Sequence, residues 1–515
     1  MAHSAGSKSP EADWNAAALL TLGLTLARIL ALFRSPLELY GDEAQYWLWS
    51  RTLDFGYYSK PPIVAWAIWA TTHVGGNAEA WVRLSAPLFQ AGATLAVFAI
   101  GRRLYGGWAA LAAAALYALM PGVQISGLVV ATDAPLLFFL GLTILAYVDL
   151  QAATGRRRLV LAAGLGAALG LAFLSKYAAL YALIGIALHL AVSREARRAW
   201  SPASAALAVV VFALVLSPNV VWNAQHGFAT LHHTAANAHW GHGFPFKPAR
   251  LGQFLVSQFG IFGPIPFGVL IAGLVIAARR RKLAREDLLL LCFVLPPLAI
   301  VSVQALLSRA NANWSGASYL PGAVLVGAWL LRWGARRWLM AAAAMQAALA
   351  ALVLLIVVQP TVADAIGASN SLKRVRGWRA TVQMITQRAR AEGPGALTAI
   401  AVNDRFLFYA ISYYGRDYLK RPGAPPLSYW LLTGEPENQA ETNAPLTPAL
   451  GGRVLAVSFK SRYVKAMMND FARTSGRELD SISLDRKHAR KLEMFIGEGF
   501  EPKPRDPVTG RPKPP

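Results

Sequence analysis

The chain has 515 residues, of which 55% are hydrophobic and only 15% are charged, and this balance excludes an ordinary soluble protein. The net charge is +23, but many cations lie in short clusters between apolar runs, which indicates a membrane protein and not a nucleic-acid groove. The single cysteine, Cys292, excludes an intrachain disulfide and a zinc site built from cysteines.

The chain opens with a polar segment, 1–13, that we predict to be disordered on the cytoplasmic side. Apolar runs able to cross roughly 30 Å of hydrocarbon follow. These runs are Trp14–Phe33, Val82–Ile100, Trp108–Ile125, Pro135–Leu150, Leu159–Leu174, Tyr177–Val192, Ala203–Val221, Phe254–Ala278, Leu288–Leu307, Ser318–Leu331 and Leu339–Val358. The first lacks a convincing cleavage site and is interpreted as a retained anchor. We therefore predict a membrane domain, 14–358, with about eleven transmembrane helices.

Arginine clusters orient these helices. With the N-terminus inside, every cluster falls in a cytoplasmic loop, as the positive-inside rule requires. The clusters are Arg102/Arg103, Arg156/Arg157/Arg158, Arg194/Arg197/Arg198, Arg279/Arg280/Arg281/Lys282/Arg285 and Arg332/Arg336/Arg337. The same threading places the loops 34–81 and 222–250, and everything after Gln359, on the periplasmic side.

From about Gln359 the composition changes to mixed polar sequence, which predicts a small extracytoplasmic α/β domain over 359–500. Helices are expected at Leu372–Ala391 and Ser461–Ala472, and buried strands at Leu397–Val402 and Arg453–Val457. The domain is basic, so it would rest on anionic lipid, engage an anionic acceptor, or simply be solvated. The tail, 501–515, is rich in proline and charge and is predicted to be disordered.

The first outer loop contains the sequences GDEAQYWLWS and YYSKPP, which combine acids, a cation and aromatics on an apolar chain. In a helix, Asp42, Tyr46 and Trp49 share one face, so a carboxylate would stand beside an aromatic platform suited to a sugar. Glu43 is the adjacent rival acid. Lys60 precedes two prolines that favour a helix start, where its ammonium and backbone N–H groups would face a phosphate. The alternative is an ordinary interfacial aromatic belt.

The fourth span opens with ATDAP, in which Thr132 fits an N-cap and Asp133 fits the first turn, where the helix dipole favours an ionised carboxylate. Capping alone would explain this acid. However, Asp42, Lys60 and Asp133 emerge on one side of the membrane, together with Arg83. The set offers a base, a second carboxylate and cations, the parts needed to displace a phosphate leaving group.

The second long outer loop contains Asn223 and five histidines, which are His226, His232, His233, His239 and His242. Histidine-rich tracts can bind zinc, but this spacing matches no standard ligand pair, and acceptor contacts or a lid explain it equally well. No metal site is predicted, and a divalent cation stays an open alternative. Lys176 and Arg309, in other outer turns, would hold an anionic head group or snorkel to the interface.

As a set, the motifs GDE, YSKPP, TDAP, PNVVWN and ANW closely resemble bacterial family 39 glycosyltransferases over about residues 15 to 358. These are multi-pass enzymes of the C-type fold, related to protein O-mannosyltransferases and to the aminoarabinose transferase of lipid A. The resemblance implies a polyprenyl-phosphate-linked sugar donor, an extracytoplasmic active site and inversion at the anomeric carbon. It also implies Asp42 as the catalytic carboxylate, Asp133 as its acidic partner and Lys60 as the donor-phosphate contact.

The function predicted from these features is an integral-membrane glycosyltransferase of the bacterial inner membrane. No large additional sugar-binding module is visible, so a glycolipid or lipopolysaccharide acceptor is expected rather than a protein. The candidate residues are, for catalysis, Asp42, Glu43 and Asp133; for the donor phosphate, Lys60, Arg83, Lys176 and Arg309; and for the sugar or acceptor, Tyr46, Trp49, Tyr58, Asn223 and His226. The alternatives are a transporter or flippase of a lipid-linked sugar, a hydrolase of that lipid, and a protein O-glycosyltransferase. An enzyme is favoured because no internal repeat is visible and the polar groups cluster at one membrane rim.

Overall fold

The computed structural model describes residues 10–236, 246–279, 283–434, 436–503 and 505–506. The chain divides into two compact units. The membrane unit comprises Met1–Arg34 and Asp54–Val358, and the α/β unit comprises Ser35–Leu53 and Gln359–Pro515.

From the N-terminus to the end of the membrane unit the helices are α1 (Pro10–Arg34), α2 (Gly41–Trp49), α3 (Ile63–Gly75), α4 (Glu79–Arg83), α5 (Ser85–Tyr105), α6 (Gly107–Leu119), α7 (Pro121–Ser126), α8 (Asp133–Leu150), α9 (Gly155–Ser175), α10 (Leu180–Val192), α11 (Arg194–Arg198), α12 (Pro202–Gln225), α13 (Ala229–Ala236), α14 (Pro248–Phe262), α15 (Pro264–Arg279), α16 (Arg285–Leu307), α17 (Tyr319–Arg332) and α18 (Arg336–Val358). The remaining elements are α19 (Thr361–Ala365), α20 (Trp378–Ala391), β1 (Ala399–Val402), α21 (Arg405–Tyr414), α22 (Arg416–Leu419), β2 (Leu427–Tyr429), α23 (Gln439–Asn443), β3 (Arg453–Ser458), α24 (Ser461–Met468), β4 (Phe471–Thr474), β5 (Glu478–Ser483) and β6 (Ala489–Phe500).

The predicted fold class, a polytopic helical membrane protein with a small C-terminal α/β domain, is confirmed. Each predicted apolar run coincides with a helix or a helix pair. However, among the described residues only seven helices are long and apolar enough to cross a membrane, or eight if the bent pair α14–α15 counts as one span. The predicted number, eleven, is higher because it includes short helices such as α6, α10 and α17. Each of these is shorter than the roughly 20 residues that a straight span needs. The apolar helix α3 lies inside the segment that was predicted to be a loop.

Two breaks in the membrane helices are stabilised by buried polar side chains. Pro121 ends α6, and the carbonyl of Ala118 accepts hydrogen bonds from Arg28 at 2.7 Å and from Gln124 at 2.6 Å. Between α14 and α15 the axis turns by 118° at Gly263, whose φ is +101°. Backbone groups freed by a break have no water in the hydrocarbon to replace the lost partner, so neighbouring side chains must supply it.

The N-terminal helix begins earlier than predicted. Helix α1 starts at Pro10, which suits a first helical position, and Glu11 and Asp13 occupy its first turn. Residues 1–9 of the segment predicted to be disordered lie outside the described residues.

In the described part of the α/β unit, the strands form one sheet in the order β2-β1-β3-β6-β4, with β5 paired to β6. Strands β2, β1 and β3 are parallel, and β6 runs antiparallel to its neighbours. Both predicted strands are confirmed. The predicted helix at 372–391 starts only at Trp378, because Gly377 has a φ of +77°, and the predicted helix at 461–472 ends at Met468. Phe471 instead joins β4 and packs on Phe495.

The start of the predicted tail is ordered. Arg505 is buried and donates two hydrogen bonds to the carboxylate of Asp470, at 2.7 and 2.9 Å. Trp430 donates to the same carboxylate at 2.8 Å. Residues 507–515 of the tail lie outside the described residues.

The segment Ser35–Leu53 was predicted to belong to a loop of the membrane domain, but it belongs to the α/β unit. Its helix α2 packs on α21, where Trp47 meets the ring of Tyr413 edge-to-face with centroids 4.8 Å apart. The approach is close at Gly41, because a Cβ atom there would lie 2.1 Å from the ring of Phe406. The α/β unit therefore holds the first predicted catalytic motif.

Candidate active site

Asp42 is held by an arginine of the C-terminal sequence. Arg405, the first residue of α21, donates one hydrogen bond to Asp42 Oδ1 at 2.9 Å and another to Gln45 Oε1 at 2.9 Å. Because Asp42 and Gln45 are three positions apart, they lie on one face of α2, and the guanidinium fork reaches both. The side chains of Asp42 and Arg405 are each about a third exposed, at 32% and 33%. The carboxylate is thus oriented and still accessible.

Contacts of Asp404 stabilise the start of α21. Asp404 caps this helix by accepting hydrogen bonds from the backbone N–H groups of Phe406 and Leu407 at 2.8 and 3.3 Å. Lys460 forms an ion pair with the same carboxylate at 2.5 Å. These contacts hold the first turn of α21, so the position of Arg405 is determined by the α/β fold.

Glu43, the rival acid, has a different environment. Its side chain is fully buried, and Oε2 accepts a hydrogen bond from the backbone N–H of Tyr40 at 2.9 Å. This contact satisfies a donor at the start of α2, as in a capping box. The geometry therefore gives Glu43 a structural task and leaves Asp42 as the more accessible carboxylate of the motif.

The aromatic rings of α2 do not form an open surface. Tyr46 and Trp49 lie with ring centroids 5.3 Å apart, but their exposed fractions are only 5% and 4%. Both rings therefore contribute to packing, and their predicted contact with a sugar stays a prediction.

In the membrane unit, the carboxylate of Asp133 contacts residues from two other predicted segments, Lys176 and Asn313. It begins α8, and its Oδ1 accepts a hydrogen bond from Lys176 Nζ at 2.9 Å. The amide of Asn313 lies 3.4 Å from Oδ2. Lys176 forms an ion pair with Asp133, and both side chains are partly buried. The predicted contact of Lys176 with the donor phosphate stays a prediction. The ion pair ties the start of α8 to the end of α9.

Lys60 closes a tight turn immediately before α3. Its backbone pairs with that of Tyr57 through hydrogen bonds of 3.1 and 3.3 Å. Thr230 Oγ1 donates to the carbonyl of Tyr57 at 2.7 Å, and Asn219 donates to the carbonyl of Phe55 at 2.6 Å. The turn is therefore positioned by α12 and α13. Burial raises the pKa of Tyr57 to about 12, so its phenol stays neutral at any physiological pH.

The PNVVWN motif supports this turn. Trp222 donates its indole N–H to the carboxylate of Asp54 at 2.7 Å. Asn223, predicted to contact the sugar or acceptor, is buried and donates to Tyr177 at 3.0 Å and to the carbonyl of Asn219 at 2.9 Å. Both residues thus have structural contacts, and a substrate role for Asn223 stays a prediction.

The other candidates are spread over the membrane unit. His226 is exposed and stacks on Trp222 with centroids 4.1 Å apart, and the ring of Tyr58 contacts His233 at 5.8 Å. Arg83 ends α4 and is buried, whereas Arg309 is exposed after α16. Their predicted roles in substrate binding stay predictions.

The described histidines of the second outer loop are His226, His232 and His233. Within the described ranges, no three His, Cys, Asp or Glu residues lie together in a way that could hold a metal ion. His239 and His242 lie outside the described residues.

Two residues at these sites were missed by the sequence analysis. Arg405 lies more than 360 positions from Asp42, so no local spacing connects them. Asp54 is an acid in the first outer loop, between the sequences GDEAQYWLWS and YYSKPP. This position in the sequence is the one signal that could have identified it.

Comparison with known proteins supports the predicted family. Residues 59–222 match the family described as dolichyl-phosphate-mannose-protein mannosyltransferase. Over 318 residues the chain is 39% identical to the lipid A galacturonosyltransferase RgtD of Rhizobium johnstonii, and this alignment covers 61% of the chain and 65% of RgtD. The match thus spans just under two thirds of that curated relative.

Solved structures share the fold. ArnT from Cupriavidus metallidurans in the apo state aligns over 93% of this chain and 97% of ArnT, with a TM-score of 0.64 and 16% identity. ArnT bound to undecaprenyl phosphate gives a TM-score of 0.62 and 18% identity over the same shares. These comparisons confirm the predicted C-type glycosyltransferase fold and the resemblance to family 39.

Proposed function

We propose that this multi-pass membrane protein of the C-type glycosyltransferase fold transfers a sugar from a polyprenyl phosphate to lipid A. The observation that carries the proposal is the 39% identity over 318 residues to a lipid A galacturonosyltransferase. The undecaprenyl phosphate bound by the structurally similar ArnT supports the class of donor. The reaction takes place on the periplasmic face of a bacterial inner membrane, as the arginine clusters indicate.

The chemistry is a displacement with inversion. The bond between the anomeric carbon and the phosphate oxygen breaks, and the phosphate leaves with the bonding electrons. An oxygen of the acceptor forms the new bond to the anomeric carbon, and Asp42 takes the proton of that hydroxyl. A positioned carboxylate typically raises the rate of such a step about 10²–10⁴-fold.

Arg405 is a positioning residue for Asp42. It does not take part in proton transfer, because a guanidinium stays protonated in proteins. Its two 2.9 Å hydrogen bonds orient the carboxylate relative to α2 and leave the side chain a third exposed for the acceptor. Holding the base in a productive geometry matters for the rate, since a misplacement of about 1 Å can lower the rate about 10²-fold.

Lys60 and Asp133 have different tasks in this proposal. The ammonium of Lys60 offsets the charge that develops on the departing phosphate. Asp133 is paired with Lys176 at 2.9 Å and is assigned here the task of an orienting group. The pair also fixes Asn313 near the start of α8.

The proposal is tested with purified protein in detergent, where no compartments exist. Polyprenyl-phosphate-linked sugars are supplied with lipid A, with a peptide, or without acceptor. Lipid A that gains the mass of one sugar supports the proposal. Transfer to the peptide alone would favour a protein O-glycosyltransferase, the function that the family description names. Free sugar formed equally well without acceptor would indicate a hydrolase, and no turnover of any kind would favour a transporter.

A further inference from the structure

An apolar recess of the membrane unit lies between α9, α10 and α12. It has a volume of about 410 Å³, within the range of ligand pockets. Its walls are Leu165 and Leu169 from α9, Leu183 and Ile186 from α10, and Val209 and Phe212 from α12. We call this recess the α9–α12 slot. Its position is separate from every predicted substrate residue.

The slot exists because α9 packs closely on α12, whereas α10 packs closely on α16. Gly166 and Gly170 bring α12 onto α9 so closely that a Cβ atom at either position would lie within 2.7 Å of α12 atoms. Gly185 brings α10 onto α16 in the same way, because a Cβ atom there would lie 2.6 Å from Phe293. Small residues let membrane helices approach at backbone distance, so α10 separates from α12 and leaves a wedge between them.

One end of the slot is basic. Arg197 and Trp200 line it, and Arg197 belongs to the short helix α11, which also carries the exposed residues Arg194 and Arg198. Arg197 caps the end of α10 by donating to the carbonyls of Leu190 and Ala191. A guanidinium has five N–H donors, so this capping uses only part of its capacity. The one acid of α11, Glu195, is paired with Arg285.

The slot extends over about two thirds of the depth of one membrane leaflet. From Leu183 to Leu190 the lining of α10 advances about 10 Å at 1.5 Å per residue, and α12 contributes the same length from Ala205 to Phe212. Half of a 30 Å hydrocarbon core is about 15 Å. An apolar channel of this length that ends at an arginine suits a lipid with one chain inserted and an anionic head group at the surface.

We propose that the α9–α12 slot binds an anionic glycerophospholipid, with one acyl chain between the three helices and the phosphate at Arg197. Basic pockets between helices on the cytoplasmic side of membrane proteins bind anionic head groups in this manner. The lipid fills a wedge that the glycine contacts leave open, and it joins α10 to α12. This site is independent of the proposed transfer reaction, because it uses none of the candidate active-site residues.

The test of the chain position uses a filling variant and a matched control. Ala205 lines the slot, whereas its neighbour Ala206 is exposed on another face of α12. Purified protein is incubated with palmitoyl-oleoyl phosphatidylglycerol and examined by native mass spectrometry. We expect one retained lipid in the wild type and in Ala206→Phe, and loss of that lipid in Ala205→Phe. Retention in a folded Ala205→Phe variant would overturn the proposal.

The test of the head group compares phosphatidylglycerol with phosphatidylcholine of the same chains. Removing one arginine near the membrane surface is expected to weaken phosphatidylglycerol binding about fivefold in Arg197→Gln. Arg337→Gln, an exposed arginine of α18, should have no effect. Equal affinity for both lipids, unchanged in Arg197→Gln, would contradict the proposal. Displacement of the lipid by stoichiometric polyprenyl phosphate would also contradict it, by assigning the slot to an isoprenoid chain.

A spectroscopic measurement covers the case in which Ala205→Phe fails to fold. Phosphatidylglycerol with a brominated acyl chain should quench the fluorescence of Trp200, which lines the basic end of the slot. In Trp200→Phe, the quenched fraction of the fluorescence should fall by the part that Trp200 contributes in the wild type. Identical quenching in both proteins would place the lipid elsewhere.

Discussion

Replacing Arg405 by Gln is expected to lower the turnover number of the proposed transferase strongly while the protein stays folded. The ion pair with Asp42 joins side chains that are each a third exposed, so it stabilises the fold by only about 0–1 kcal/mol. The guanidinium also lies 4.8 Å from the ring centre of Phe406, a contact worth about 0.5–1 kcal/mol. The expected loss of stability is therefore at most about 2 kcal/mol.

The effect on catalysis should be much larger. Without the guanidinium, neither Asp42 nor Gln45 keeps the partner that orients it, and a base displaced by about 1 Å loses about 10²-fold in rate. We expect kcat to fall by about this factor with little change in the KM for the donor, because Arg405 orients the base and does not bind the phosphate. Arg405→Lys should recover part of the rate, since it keeps the charge but loses the fork that reaches both side chains.

The matched control is Arg416→Ala. Arg416 lies 6.0 Å from the ring centre of Trp47 and 4.8 Å from that of Tyr413, so it supports the packing of α2 on α21 without touching Asp42. Its loss should lower the melting temperature and leave kcat almost unchanged. The assay is donor turnover with lipid A, with the melting temperature of each variant measured in the same detergent. Wild-type kcat in a folded Arg405→Gln variant would refute the reasoning, as would an equal loss of kcat in Arg416→Ala.

Four further predictions concern the other candidates. Asp42→Asn should abolish transfer while donor binding survives, and Glu43→Gln should mainly lower the melting temperature, because its carboxylate caps α2; the opposite pattern would make Glu43 the base. Lys60→Ala should weaken donor use severely in steady-state kinetics, with partial rescue in Lys60→Arg, and wild-type kinetics would remove the phosphate assignment. A reporter fused after Gln359 should be active only outside the cytoplasm, and a cytoplasmic signal would contradict the predicted orientation. Burial raises the pKa of Glu38 above its usual 4.5. The protonated carboxyl therefore contributes its full stability below pH 4.5, and this contribution is lost as the pH rises through the raised pKa. Glu38→Gln should flatten this part of the plot of melting temperature against pH.

The membrane architecture was predictable because hydrophobic runs and arginine clusters are local properties of the sequence. The exceptions arose where tertiary contacts decide the backbone. The turn of 118° at Gly263 within the predicted span Phe254–Ala278 reflects Gln346, which donates to the carbonyl of Phe262 from a distant helix. No periodicity in the span itself reports that partner.

The candidate site was predictable only in part, for the same reason. Motif residues such as Asp42 and Asp133 were recognisable from their neighbours in sequence and from the family resemblance. Their partners were not, because Arg405 and Lys176 reach them through the fold.

The most direct measurement is a single reaction of purified wild-type protein with polyprenyl-phosphate-linked sugar and lipid A in detergent, followed by mass spectrometry of both lipids. We expect that lipid A gains the mass of one sugar, that polyprenyl phosphate is released in equal amount, and that both products disappear in Asp42→Asn. Unmodified lipid A with intact donor across the sugars tested, or undiminished transfer by Asp42→Asn, would contradict the proposed function.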